Sequence, residues 1–255
     1  MGEFVYNTIR PVNSPKEGTV SGSYVFTQSD AMSNHERLLD MDISLSVSSW
    51  DENDGVLFAD GNTRSADYIM THSTDRSSPP TISVLYGDDI NNLSLAGSVT
   101  GVADGFKGDS FSSQSGKIWV AYRSNSSGTL DTVTELFIGK RIQYGGSNGN
   151  SPAISQTFGA EHGIVINESL GGQITGKQRY SSKKTFQLSF PNVDATFKSN
   201  MEDMKDACNG SMIPFYWSDV DVGVAAAYIR MTDDSLNFQE VSYQRYATTL
   251  TMREV

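Results

Sequence analysis

Between Arg179 and Trp217 the spacing of apolar positions changes period twice. Phe186, Leu188 and Phe190 alternate with Gln187 and Ser189, the period of two that marks a half-buried antiparallel strand. Pro191 cannot donate to a ladder and is expected to stop that strand. Phe197, Met201, Met204 and Cys208 then recur at helical spacing, while Lys198, Glu202, Asp203 and Asp206 face away. Asp194 is the predicted N-cap and Asn209-Gly210 the left-handed stop, so one amphipathic helix spans Asp194 to Cys208. Burying Phe197, Met201 and Met204 is worth roughly 1.5–3 kcal/mol each, enough to fasten the helix to a sheet face. Met212 to Trp217 is extended chain broken by Pro214, so that strand lies at an edge or begins after the proline.

Elsewhere the pattern predicts short strands between turns. FVY and YVF are two apolar runs in a polar amino-terminal stretch, and residues 34–41, NHERLLDM, fit a short helical turn. Ile43 to Val47 alternates, with Trp50 following at the sheet edge. Val56–Phe58, Ala66–His72, Thr81–Tyr86 and, more weakly, Leu93–Val99 come next, split by Asp60-Gly61-Asn62 and Ser77-Ser78-Pro79-Pro80. Lys117–Arg123 and Thr132–Ile138 are strong strands joined by SNSSGTLD. After the polar stretch Gly145–Pro152, read as a linker, come Gly163–Asn167, the Gly171-Gly172 turn and Gln173–Tyr180. Beyond the helix, Val222–Met231 reads as a strand covered on both faces, and Ser242–Met252 as the closing strand. The fold class is mostly β: an antiparallel jelly-roll or β-sandwich domain, then an antiparallel β domain carrying one helix. The expected divisions are an arm at 1–22, the sandwich at 23–145, a linker at 146–152 and the helix-bearing domain at 153–255.

Composition agrees with a turn-rich β protein: 255 residues with 37% hydrophobic and 19% charged content and 23 Gly. Thirty acidic residues against 19 basic give a net charge of −11, which argues against a surface built to grip phosphate. No apolar run reaches the roughly 18 residues of a membrane span, so no membrane insertion is expected. The amino terminus has no basic region and no apolar core, so no secretory signal is visible and synthesis in the cytoplasm is expected. Gly2 lacks the downstream Ser or Thr of a myristoylation signal, Tyr6 standing there instead. Cys208, the single cysteine, excludes an intramolecular disulfide framework and reads as a small core residue.

Candidate chemistry is sparse. Gly145-Gly146-Ser147-Asn148-Gly149 matches G-x-S-x-G, but a nucleophile elbow needs a helix after the serine, and a polar stretch follows. His35, His72 and His162 have no partner at metal-ligand spacing, and His72 reads as an ordinary hydrogen-bonded histidine. Asp51-Glu52-Asn53-Asp54-Gly55 fits a surface turn, with a weak structural Ca²⁺ site the alternative. Asp88-Asp89, Asp219 with Asp221, and Asp233-Asp234 read as turn residues. Four N-x-S matches, at Asn92, Asn125, Asn167 and Asn209, are chance matches without a signal peptide. No catalytic constellation, cofactor motif or metal set emerges, and no enzyme is expected.

The order and wording of the segments resemble a known family. Val56 to Tyr86, with Asp60-Gly61, the strand ending at His72 and Thr81–Leu85, resembles a galactose-binding-like jelly roll found in phage tail proteins. Lys117–Tyr122 and Glu135–Lys140 resemble its closing strands. Gly171-Gly172, Arg179, the FQLSF strand, the amphipathic helix, Pro214-Phe215 and the last strand ending at Glu254 are similar to phage tail-tip proteins. The resemblance is to the distal tail and related minor tail proteins of long-tailed bacteriophages and covers most of residues 30–255. It leaves residues 1–22 without a counterpart. It implies a structural virion protein at the phage tail tip or baseplate. Such a protein forms a homo-oligomeric ring, hexameric or trimeric, with the jelly roll projecting outward. Implied partners are the tail tube protein, the tape measure and the tail hub or receptor-binding proteins, with DNA passing as cargo that is not bound. It supplies no catalytic residues. The alternative is a carbohydrate-binding module or adhesin acting through the jelly roll on a host glycan, for which Trp50, Tyr68 and Tyr86 are the candidate contacts, while Trp119, inside a dense strand, reads as a core aromatic. On the ring reading, Asp194, Glu202, Asp203, Asp206, Asp219, Asp221, Asp233 and Asp234 are candidates to line the lumen.

Overall fold

Strands account for most of the chain, as the alternating pattern predicts. The computed structural model describes residues 1–9, 18–20, 24–26, 55–74, 81–100, 102, 104–124, 133–152, 157–168, 174–222, 224–232 and 236–255. Among them are largely antiparallel strands with one parallel pairing at Val20 and Leu93, two short 3-10 turns and one α-helix. They divide into two compact units, Val5–Arg141 and Met1–Phe4 with Ile142–Val255. The predicted helical turn at 34–41, the strand at 43–47, Trp50 and the turns at 77–80 and 171–172 lie outside the described residues.

In the Val5–Arg141 unit the strands are β1 (Gly2–Asn7, from Val5 on), β2 (Gly18–Val20), β3 (Tyr24–Phe26), β4 (Gly55–Ser73), β5 (Thr81–Asp89), β6 (Asn92–Thr100), β7 (Gly105–Arg123) and β8 (Val133–Tyr144, to Arg141). Their order is β3-β2-β6-β5-β7-β4-β8-β1. The two 19-residue strands β4 and β7 pair along their length, interrupted by register shifts after Ala59 and after Ala66. These bulges bend the pair, so that Val56 and Phe58 before them share one core with Ile69, Ile82, Val84, Trp119, Leu136 and Ile138. That construction is a β-sandwich of the jelly-roll kind. The outer half of β7, Gly105 to Ser115, carries no alternating apolar signal and is largely exposed, so its strand was not legible. Partner strands rather than burial hold it in place. At Gly139 the chain passes so close to Tyr6 that an added Cβ would lie 1.9 Å from the Tyr6 carbonyl oxygen.

In the second unit the order is β1-β11-β12-β14-β10-β9, with β13 paired to β14. Its strands are β9 (Thr157–Glu168), β10 (Ile174–Asp194), β11 (Phe215–Asp219), β12 (Val224–Met231), β13 (Gln239–Ser242) and β14 (Arg245–Glu254), with helix α1 at Ala195–Ala207. The helix obeys the sequence closely. Asp194 accepts a hydrogen bond from the Phe197 amide at 2.7 Å, and Phe197, Met201, Met204 and Cys208 are buried. Asn209 (φ 48°) and Gly210 (φ 67°) take the left-handed conformation that ends it. Met1–Phe4 belongs to this unit too, and Phe4 packs against Tyr144 and Phe215 at ring distances of 5.1 and 5.8 Å.

Three features depart from the pattern. β4 runs through Asp60-Gly61-Asn62, predicted as a turn between two strands, with a register shift against β7 there. Pro191 does not stop β10: the strand runs on to Asp194, and a register shift between Phe190 and Val193 accommodates the residue that cannot donate. The closing strand begins at Arg245 rather than Ser242, because Tyr243-Gln244 forms a two-residue hairpin turn after β13. In the stretch read as a linker, Gly146–Asn148 forms a 3-10 turn between glycines of positive φ, and Asn150 is buried against Asp194. Beyond these, β10 extends past the sheet. Thr185 to Asp194 pairs with β14 on one side, but Ile174 to Lys184 pairs with β9 alone among the described residues, making a two-stranded ribbon.

Met204 is fully buried, so Met204→Asp should unfold this unit, because an unpaired carboxylate there has no compensating partner. Glu202→Gln, on the exposed face, should shift stability by no more than about 0.5 kcal/mol. Chemical denaturation of the two variants checks the helix face; equal midpoints would invert it.

Candidate functional site

The aromatic residues proposed for glycan contact are tied into the fold where they are described. Tyr68 on β4 is 5% exposed and covered by the Arg141 guanidinium, 4.7 Å from its ring centre. Tyr86 on β5 is half-buried against Trp119 at 5.6 Å. Trp119 is buried and donates its indole N–H to the Gly116 carbonyl at 3.2 Å. Trp50 lies outside the described residues.

The polar candidates act mainly as fixtures. Asp89 accepts from the Asn91 amide at 2.9 Å, as a turn residue does, whereas Asp88 accepts from the Lys117 amide of β7 at 3.3 Å. Ser147 is exposed on its 3-10 turn with no helix after it. His35, Asp51–Asp54 and Asp233-Asp234 are outside the described residues, and His162 lies on β9. Among the described residues no group of His, Cys, Asp and Glu could hold a metal ion. His72 is buried, hydrogen-bonded to Thr134 at 2.5 Å and tilted against Phe106 at 4.5 Å. Burial holds its imidazole below the usual range, only partly offset by the nearby Asp104 charge.

One buried network was not legible in the sequence. Trp217 donates its indole N–H to the Tyr144 hydroxyl at 2.6 Å, and Tyr144 donates to Asp219 at 2.9 Å. Asp219, itself buried, also accepts from the Asp221 amide at 3.1 Å, and the Asp221 carboxylate pairs with the amino terminus of Met1. Burial drives the Tyr144 phenol far above its ordinary range, so it stays a neutral donor. Asp219, predicted as a turn residue, is therefore also an interior anchor.

The surface most suited to contact with another molecule is in the helix-bearing unit. Every residue of β13 is exposed, and the turn that follows presents Tyr243 at 86% exposure beside Val241 at 51%. Gln244 holds φ at 55°, a conformation costly for a side-chain-bearing residue, and its side-chain amide donates to the Tyr243 hydroxyl at 3.3 Å. Near the base of this hairpin is an open groove of ≈ 550 Å³ between Ser189–Pro191 of β10, Asn237–Gln239, and Ala247–Thr249 with Thr251 of β14. None of its lining residues is charged. Ser189 and Thr249 are hydrogen-bonded across it at 3.2 Å, and Thr248 donates to the Asn237 carbonyl at 2.7 Å.

No family model matches the chain, and no curated protein matches it by sequence. Solved structures with some likeness carry carbohydrate-binding modules. The CBM32 of AlyQ in complex with 4,5-unsaturated mannuronic acid is 18% identical with a TM-score of 0.36, over 48% of this chain and 97% of that one. A truncated AlyQ with CBM32 and alginate lyase domains is 14% identical with a TM-score of 0.39, over 85% of this chain and 56% of that one. CpGH89CBM32-5 from Clostridium perfringens, in complex with GalNAc-β-1,3-galactose, is 12% identical with a TM-score of 0.29, over 33% and 64%. Likeness this low carries no argument about function.

Two measurements check the electrostatics. Because folding lowers the His72 pKa, the unfolded chain takes up that proton first, and stability should fall as pH drops below the unfolded value of 6.5. His72→Gln should flatten this slope in denaturation midpoints between pH 7 and pH 5; an unchanged slope would exclude His72 as its source. Tyr144→Phe leaves the Trp217 donor and an Asp219 lone pair unsatisfied in the interior and should cost about 1–3 kcal/mol, read as a lowered midpoint at constant denaturant dependence.

Proposed function

We propose that this chain is a structural virion subunit, a ring component at the distal end of a phage tail that links the tube to the host-recognition apparatus. It acts by assembly rather than by catalysis. The observation that carries the reading is the β9–β10 ribbon. Its outer part, Ala160–Glu168 with Ile174–Lys184, pairs with no third strand among the described residues. An isolated two-stranded ribbon is marginal in water, and pairing or packing against a neighbour stabilises it. A subunit designed to assemble can keep such an arm; a lone module gains nothing from it. The resemblance of residues 30–255 to distal tail proteins points the same way.

On this reading the neighbours are further copies and the tail tube, tape measure and hub proteins, and the jelly-roll unit faces outward. Glu202, Asp203 and Asp206, exposed on α1, then face a lumen through which DNA passes unheld, whereas the exposed Asp221 pairs with the Met1 amino terminus. Asp194 and Asp219 are engaged inside the unit. For the carbohydrate-module alternative, Tyr68 is buried, Tyr86 is half-buried against Trp119, and Trp50 lies outside the described residues. A glycan array that finds a binder would favour it.

Replacing residues 164–179 by a two-residue Asn-Gly turn shortens the ribbon where Gly163 pairs with Tyr180. The shortened chain should keep its circular dichroism and melting transition but be missing from the tail end of particles whose own copy of this gene is replaced. A folded, shortened chain that enters particles at normal copy number would remove the arm as the assembly element and the main support for this function.

A further inference from the structure

A chain carrying 30 acidic and 19 basic residues repels its own copies across most pairs of surfaces. Contact between copies costs least where both faces are uncharged and one offers an apolar or aromatic protrusion. Two surfaces of the helix-bearing unit meet that description together. The hairpin turn Val241–Gln244 carries no charge and presents a tyrosine almost wholly to solvent. The groove beside Ser189, Phe238 and Thr249 is lined without a single charge.

The geometry points to a head-to-tail contact between copies of this chain, in which the hairpin tip of one copy seats in the uncharged groove of the next with Tyr243 as its anchor. Three features favour a second copy as the occupant. The tip cannot fill its own groove, since the two-residue turn holds Tyr243 out in solvent. The groove is lined by hydroxyl, amide and aromatic side chains, which match the tyrosine ring, the Ser242 hydroxyl and the Gln244 amide of the tip. Its ≈ 550 Å³ is more than one tyrosine side chain fills, so the tip enters without a steric bar. Tip and groove are different patches of one unit, so the contact is heterologous, and repeated with a closing rotation it generates a ring. Tyrosine is among the residues that most often dominate such interfaces. The inference rests on the assembly reading above and assigns one contact within it.

Cysteine pairing tests it cleanly, because Cys208, the chain's own single cysteine, is buried. Tyr243→Cys and Thr249→Cys are made as separate full-length chains and mixed under mild oxidation over a concentration series, with sedimentation run in parallel. The mixture should give a disulfide-linked dimer that neither variant gives alone. Tyr243→Ala should weaken self-association at least tenfold, while Tyr243→Phe retains it. Oligomers that form without the cross-link, and that Tyr243→Ala leaves intact, would overturn the hairpin contact and leave the ring reading standing. A mixture that neither associates nor cross-links at any concentration would overturn the contact as well, and the particle experiment with the shortened ribbon then judges the ring separately. A Tyr243→Cys chain that cross-links in particles to a different protein would show the groove belongs to another partner and would equally end the proposal.

Discussion

The carboxylate of Asp194 fixes three separate pieces of the helix-bearing unit. One oxygen accepts from the Phe197 amide and starts α1; the other accepts from the Asn150 side chain, whose own oxygen takes the Asp194 amide. The same residue closes the pairing of β10 with β14, opposite Arg245. Partial burial alone would raise its pKa, but the Phe197 amide, the Asn150 amide, the Arg245 charge and the Thr196 amide outweigh burial and hold it below 3.8. Its contribution to stability is therefore complete above the unfolded value near 4 and is lost only as pH falls through the lower folded value. From this anchor the helix lays Phe197 against Phe190 at 5.1 Å, and Phe190 meets Tyr144 edge-on at 5.3 Å. The aromatic core continues through Phe4 and Phe215, and the polar line Trp217–Tyr144–Asp219 runs inside it.

What the sequence made legible follows from how local each cause is. The helix, its cap and its stop depend on side chains within one turn of each other, and they appear where the spacing puts them. The start of β11 at Phe215 depends on one proline and is equally visible. Pro191 misled because a proline excludes a ladder bond, not a strand, and the bulge that absorbs it depends on the register of β14. The Tyr243-Gln244 turn was hidden for the opposite reason. It uses neither glycine nor asparagine, so no turn residue announces it. The glycine-rich stretch near 145–150 announced a break between strands but not the buried Asn150, whose partner is 44 residues distant.

In the Val5–Arg141 unit the same limit shows in the core and at its rim. The strands containing Trp119 and Ile138 were visible because one face is apolar, whereas the first half of β7 is held by pairing to β4 and leaves no period in its side chains. For the candidate site, the aromatic residues were legible but their availability was not. Exposure of Tyr68 depends on whether Arg141, far along the chain, lies across it, and it does.

The distribution of charge ties these elements to assembly. Strand alternation gives the β10–β14 pair two unlike faces. Phe190, Leu250 and Met252 turn toward the helix and the core; Ser189, Thr249 and Thr251 turn the other way and form the groove. Glu202, Asp203 and Asp206 lie on the exposed side of α1, whereas the groove on the opposite face of the two strands has no charged residue in its lining. Copies meeting through two acidic patches would be opposed by like charge at any separation within about 8–10 Å at ordinary ionic strength. Copies meeting through the uncharged groove would not. The alternation that sends hydrophobic residues to the core thus also selects which surface is left for a neighbour, and the bulge at Pro191 and the turn at Gln244 sit at the border of that surface, where irregular backbone shapes the groove and lifts Tyr243 clear of it.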